Sequence, residues 1–194
     1  MKKSVEVKEK IIEATICLIS ESNGDVTTID IRTIADKAQV GTGMINYHFQ
    51  TKENLIDICV ERMIGRFVFK IPPSTLEQAP VPRLKRTAEQ VFDLLMDNPA
   101  ISRISFLSDH KNPKTNDNTV KSTLGIHKVL SDFEIPEKER FVLAFALMSI
   151  IQTLFLRKDQ SGELFGYDVN VKQQRDEMLE MLIDSMFRRF EEKK

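Results

Sequence analysis

Ile34-Ala35-Asp36-Lys37-Ala38-Gln39-Val40-Gly41-Thr42-Gly43-Met44-Ile45-Asn46-Tyr47-His48-Phe49 reads as two short helices around a tight turn, with Lys52 opening a third helix. Ile34, Ala35 and Ala38 place small and branched apolar groups on one face of the first helix. Ile45 and Phe49, four residues apart, do the same on the second. What remains outward on that second helix is Thr42, Met44, Asn46, Tyr47 and His48, a set of hydrogen-bonding and flat groups with almost no charge. Such a surface suits the edges of base pairs and their flanking phosphates better than it suits a core.

At these residues the sequence resembles the TetR family of bacterial transcriptional repressors, whose DNA-binding domain has the form I-A-x-x-A-G-V-S-x-G-x-x-Y-x-Y/H-F-x-x-K-x-x-L. Ile34, Ala35, Ala38, Val40, Gly43, Phe49, Lys52 and Leu55 match, with Tyr47-His48 in the aromatic pair. The likeness extends back through Ile11, Ala14, Leu18, Ile19, Gly24 and Thr27-Thr28, so it covers roughly the first 60 residues. Three positions depart from the pattern. Gln39 stands where a turn glycine is usual, Gly41 where a serine commonly caps the recognition helix, and Asn46 where tyrosine is more usual. The operator therefore does not follow by analogy. Candidate DNA-contacting residues are Arg32, Thr33, Thr42, Gly43, Met44, Asn46, Tyr47, His48 and Lys52. Lys52 is expected to act as a phosphate clamp, its ammonium and the free N–H groups of its helix converging on one anion.

The chain has 194 residues, 41% hydrophobic and 29% charged, enough for a substantial core in one large domain or two smaller ones. Its net charge of −1 carries no preference for polyanions. Residues 1–55 hold Lys2, Lys3, Lys8, Lys10, Arg32, Lys37 and Lys52 against Glu6, Glu9, Glu13, Glu21, Asp25, Asp30, Asp36 and Glu53, so the amino-terminal region is not basic overall. DNA affinity must then rest on a few placed contacts and not on a broad positive field. Cys17 and Cys59 sit in apolar helical stretches, with no second Cys or His at ligand spacing. Two buried free thiols and no metal or cofactor are expected, consistent with a reducing cytoplasm. The charged stretch Met1 to Glu9 carries no apolar run, so no leader segment is expected. The longest apolar run, Phe141 to Leu156, contains Ser149, Gln152 and Thr153 and falls short of the roughly 20 apolar residues of a membrane span, so no membrane contact and a cytoplasmic location are expected.

The reading along the chain is all-α with nine helices in two domains: a three-helix helix-turn-helix domain at 1–55, a connecting helix over 52–70, and a ligand-binding and dimerisation domain at 71–194. Asn23-Gly24 ends the first helix, and Asp30 is a plausible cap for the next. Ile71-Pro72-Pro73 stops the connecting helix, and the stretch 74–81 forms the domain boundary. Helices follow over 82–97, 99–109, 120–133, 136–157 and 170–191, with 159–168 as a loop holding Gly162 and Gly166.

Apolar residues occupy almost every face of Phe141–Leu156, and Met178, Leu179, Leu182, Ile183, Met186, Phe187 and Phe190 form a stripe too wide for one neighbour. A homodimer through these two helices is expected, and the family resemblance implies the same. The two-fold symmetry of such a dimer calls for a pseudo-palindromic double-stranded operator. The resemblance also implies a small-molecule effector. Phe92, Met96, Phe106, Phe145 and Met148 offer adaptable apolar material for it, and Arg103, His110, His127 and Gln152 are the polar groups able to orient it. Ser102, Ser105 and Ser108 near His110 recur at helical spacing without a nucleophile elbow, so no catalytic constellation is formed. The rival to a ligand-released repressor is a helical protein–protein adaptor built on the same three-helix module without DNA.

Overall fold

The computed structural model describes residues 2–22, 24–68 and 79–190. Among these residues the chain is all-α, with ten α-helices and no strand. They are α1 (Lys2–Glu21), α2 (Ile31–Ala38), α3 (Thr42–Phe49), α4 (Lys52–Val68), α5 (Pro80–Asp97), α6 (Pro99–Lys111), α7 (Asn118–Val129), α8 (Glu137–Leu156), α9 (Ser161–Phe165) and α10 (Lys172–Phe187). Short 3₁₀ turns lie at Val26–Thr28, Leu130–Asp132, Lys158–Gln160 and Arg188–Phe190. The helix beyond the expected nine is α9, which occupies the segment read as a loop. It has five residues and ends at Gly166 in the left-handed conformation, φ 75°. The expected stop at Ile71-Pro72-Pro73 and most of the boundary segment lie outside the described residues.

The chain forms two compact units, one of Met1–Lys70 with Asn98–Pro113, the other of Ile71–Asp97 with Lys114–Lys194. The first thus includes α6, which the sequence reading had placed with the rest of 71–194. The cause is apolar: Ile101 and Ile104 of α6 are buried in one core with Ile11, Ile12 and Ile19 of α1, Ile34 of α2, Ile45 and Phe49 of α3, and Leu55 and Cys59 of α4. Ser108 of α6 adds a hydrogen bond, its hydroxyl donating to Asp57 of α4 at 2.8 Å. Gly24, which follows α1, has φ +89° and lies so close to α6 that an added Cβ would sit 3.1 Å from the Ala100 Cα. Each fully buried Ile or Phe in this core is worth about 1.5–3 kcal/mol of transfer free energy. Glu9 and Arg62 pair in bidentate fashion between α1 and α4.

In the second unit α8 packs on α7 and α5, and α5 also packs on α10. α8 is long and apolar enough, by length and composition alone, to cross a membrane. Here it is the central helix, burying Ala144, Leu147, Met148, Ile151 and Phe155. Arg175 of α10 is 4% exposed, and its guanidinium donates to the Val169 carbonyl at 2.9 Å, pairs with Asp93 and lies over the Phe92 ring at 5.4 Å. That satisfies most of a buried cation at the α5–α10 contact.

The breadth of the apolar surface on α8 shows in what the second unit leaves uncovered. Phe141, Val142 and Phe145 on α8 and Met181 on α10 are exposed, whereas Leu182 and Met186 are half-buried.

Candidate nucleic-acid interface

The segment before α2 is built from two capped turns. Asp25 closes the Val26–Thr28 turn by accepting from the Thr27 N–H at 3.0 Å. Asp30, in extended conformation, caps α2 by accepting from the Thr33 N–H at 2.7 Å. These bonds hold both carboxyls below the usual range, through the Thr33 amide for Asp30 and the Thr27 hydroxyl for Asp25. A carboxylate therefore occupies the Thr33 N–H, one of the amino-terminal donors of α2 that an anion would otherwise use. Contacts from α2 fall to the exposed side chains of Arg32 and Thr33.

α2 ends at Gln39, where the usual glycine is missing yet the backbone is left-handed all the same, φ 56° and ψ 46°. The Val40 N–H donates to the Ala35 carbonyl at 3.0 Å and closes the turn. α3 then starts at Gly41, which supplies no side-chain cap. Neither Gly41 nor Gly43 has any atom within 4 Å of where a Cβ would stand, so the first turn of α3 faces open space.

Ile45 and Phe49 anchor α3 in the core at 1% and 0% exposure. That leaves Thr42, Gly43, Asn46 and Tyr47 fully outward, Tyr47 at 76% exposure. Met44 and His48 are half-buried. Met44 packs against the core, while the His48 ring stands edge-on to Tyr47 at 5.0 Å. The Nε2 atom of His48 is buried without a hydrogen-bond partner among the described residues.

Lys52 departs most from the expected geometry. Its side chain is half-buried, and its ammonium donates to the Ile29 carbonyl at 2.9 Å and the Val26 carbonyl at 3.4 Å. Sequence reasoning also missed two neighbours. The Thr51 hydroxyl caps α4 by accepting from the Asn54 N–H at 3.1 Å, and the Asn54 amide donates to the Phe49 carbonyl at 2.9 Å. Thr51 three residues ahead of a polar side chain was a readable cap signal. The reach of Asn54 back to α3 had no such signal.

The structure distributes the nine candidate ligand residues over both units. Arg103, Phe106 and His110 belong to the first, with Phe106 buried and the other two exposed. In the second unit Phe92, Met148 and Gln152 are buried, Met96 and His127 are half-buried, and Phe145 is exposed. The Gln152 amide donates to the Thr119 hydroxyl at 2.9 Å, and its Oε1 is buried without a hydrogen-bond partner among the described residues. The Nε2 of His127 lies 3.1 Å from a carboxylate oxygen of Glu137.

No protein-family profile matches the chain, and no curated protein matches it by sequence. Solved structures do match. A TetR variant from Acinetobacter baumannii in complex with minocycline aligns over 93% of this chain and 94% of its own, with a TM-score of 0.65 at 18% identity. A Clostridium perfringens protein assigned to fatty acid metabolism regulation aligns over 90% and 97%, with a TM-score of 0.61 at 23% identity. A TetR-family transcriptional regulator from Haemophilus influenzae aligns over 97% and 98%, with a TM-score of 0.52 at 18% identity. Over nearly its whole length, from the helix-turn-helix to α10, the chain has the fold of the TetR-like transcriptional regulators.

Proposed function

We propose that the protein is a homodimeric, sequence-specific DNA-binding regulator, a repressor whose grip on its operator weakens when a small, mostly apolar ligand binds. The observation that carries this reading is α3 itself. It is pinned through Ile45 and Phe49 and turns an uncharged, hydrogen-bonding face of Thr42, Gly43, Asn46 and Tyr47 to solvent. A Tyr at 76% exposure buries little of its ring beyond the edge-on contact with His48, whereas that ring and its hydroxyl suit a groove edge and its phosphates. Arg32 and Thr33 flank that face from the first turn of α2.

The uncovered Phe141, Val142, Phe145 and Met181 support a dimer through α8 and α10. In such a dimer the two recognition helices meet half-sites about 34–36 Å apart, or a multiple of that. Ligand control is supported by the buried Phe92, Met148 and Gln152 of the second unit, and by the unsatisfied Gln152 oxygen, which an N–H or O–H on a ligand would satisfy. A ligand releases DNA only if it binds more tightly to a conformation whose recognition helices are wrongly placed.

The test is a gel shift on the intergenic DNA beside the gene, repeated across salt concentrations. Asn46→Ala is expected to relax base preference, at about 1–3 kcal/mol per lost base contact, and Tyr47→Ala to weaken binding with the melting temperature unchanged. Unchanged operator affinity in both variants rejects the assignment. Absence of any sequence preference in the wild type favours the adaptor reading, with which the balanced charge of residues 1–55 also agrees.

A further inference from the structure

We propose that the first turn of α4 is a two-point clamp that sets α2 and α3 in register, and that Lys52 and Asn54 are positioning residues and not phosphate ligands. The inference rests on the DNA-binding reading and specifies how its surface is held.

The first point is Lys52. Its ammonium donates to the carbonyls of Ile29 and Val26, 23 and 26 residues earlier. Both carbonyls belong to the strap that leads into α2: Val26 opens the 3₁₀ turn, and Ile29, 3% exposed, immediately precedes the Asp30 cap. Moving α4 relative to this strap breaks hydrogen bonds from a charged donor, which are among the stronger kind. An ammonium has three N–H donors, and two here point into the protein.

The second point is Asn54. Its backbone N–H is held by Thr51, and its side-chain amide reaches over the intervening turn to the carbonyl of Phe49, the last residue of α3. The same carbonyl accepts from the Thr51 N–H at 2.8 Å. That bond closes a tight γ-turn at Gln50, with φ 66° and ψ −54°, a conformation a non-glycine residue adopts only under outside constraint. The hydrogen bonds from Asn54 and Thr51 supply the constraint. One helical turn thus fixes the start of α2 through Lys52 and the end of α3 through Asn54.

The experiment uses the full chain without DNA, then with it. In Lys52→Met, amide exchange at Thr33 and Ile34 is expected to quicken about tenfold. In Asn54→Ala, exchange at Gln50, whose N–H is bonded to the Asn46 carbonyl, quickens by about the same factor. Both variants lose operator affinity while the slope of log affinity against log salt stays that of the wild type. Exchange within about twofold of wild type in both variants overturns the clamp. So does a Lys52→Met protein with wild-type exchange and a salt slope reduced by about one, the signature of a lost phosphate contact. Asn54→Ala carries the test should Lys52→Met fail to fold. If the wild type binds no DNA, the DNA-binding reading falls while the exchange measurement still decides the clamp.

Discussion

The Val40 N–H donates to the Ala35 carbonyl at 3.0 Å across Gln39, and together with the Gln39 N–H, which donates to the Asp36 carbonyl at 3.2 Å, it holds a glutamine in the left-handed region, φ 56°. A left-handed conformation costs a residue with a Cβ about 1–2 kcal/mol, and glycine returns part of that gain as unfolded-state entropy. Gln39→Gly is therefore expected to stabilise the first unit by about 0.5–1 kcal/mol. Gln39→Val should destabilise it, because β-branching is least tolerated there. Urea unfolding of both variants checks the pair, and a Gly variant no more stable than wild type rejects the argument.

The two cysteines are not equivalent, contrary to the expectation that both are buried. Cys17 is exposed on α1, its thiol 3.2 Å from a Glu21 carboxylate oxygen. Cys59 is fully buried, and burial pushes its thiol up to about 12. A thiol reagent at neutral pH should modify one cysteine per chain quickly and the second only in denaturant. Cys17→Ser should abolish the fast phase. Two fast thiols in the native protein would contradict the packing of Cys59 against α1.

Acid should act on individual carboxylates with opposite signs. Glu9, Asp25 and Asp30 in the first unit have lowered pKa values, chiefly through hydrogen bonds from Arg62, the Thr27 hydroxyl and the Thr33 amide. Their stabilisation is present above the ordinary carboxylate values of 4.5 for Glu and 3.8 for Asp, and is lost as pH falls through the depressed ones. Glu89 in the second unit is raised, by burial first and then by Asp176, Glu180 and Asp93, against the opposing pull of Lys172. Its ionised form costs stability, so this group favours folding as pH falls through that raised value, whereas Asp93 of the same unit, which burial raises but hydrogen bonds from Lys172 and Arg175 lower further, acts in the opposite sense. Glu89→Gln should melt higher than wild type at pH ~7 and lose its advantage in acid. Melting curves across this range, with an equal advantage at both ends, would refute the linkage.

Phe145 and Met148 lie three residues apart on α8, yet one is 42% exposed and the other 1%. Phe145→Glu should keep the helical content of the protomer and halve the sedimenting mass, because it places a charge in the proposed partner contact. Met148→Glu should unfold the second unit, since it buries an unpaired carboxylate. A wild-type protein that already sediments as a monomer at micromolar concentration would remove the dimer from the proposal.

Although Met44 and His48, read as outward, are half-buried, Met44 against the core, the sequence by itself determined the helix-turn-helix, the all-α class and the outward placement of Thr42, Asn46 and Tyr47 on α3. The spacings that encode them, Ile34 with Ala38 and Ile45 with Phe49, are local, and one helical turn brings such residues together whatever the rest of the chain does. The Asp30 cap and the left-handed Gly24 were legible for the same reason. Only the tertiary structure decided that Lys52 faces the Ile29 carbonyl, that α6 shares the core of the first unit, that Gln39 takes a conformation usual for glycine, and that Cys17 is exposed. Each depends on groups far apart in sequence or on packing around a turn, and no periodicity records which distant carbonyl or apolar face a side chain will meet. α9 escaped because five residues are too few for an apolar period to show.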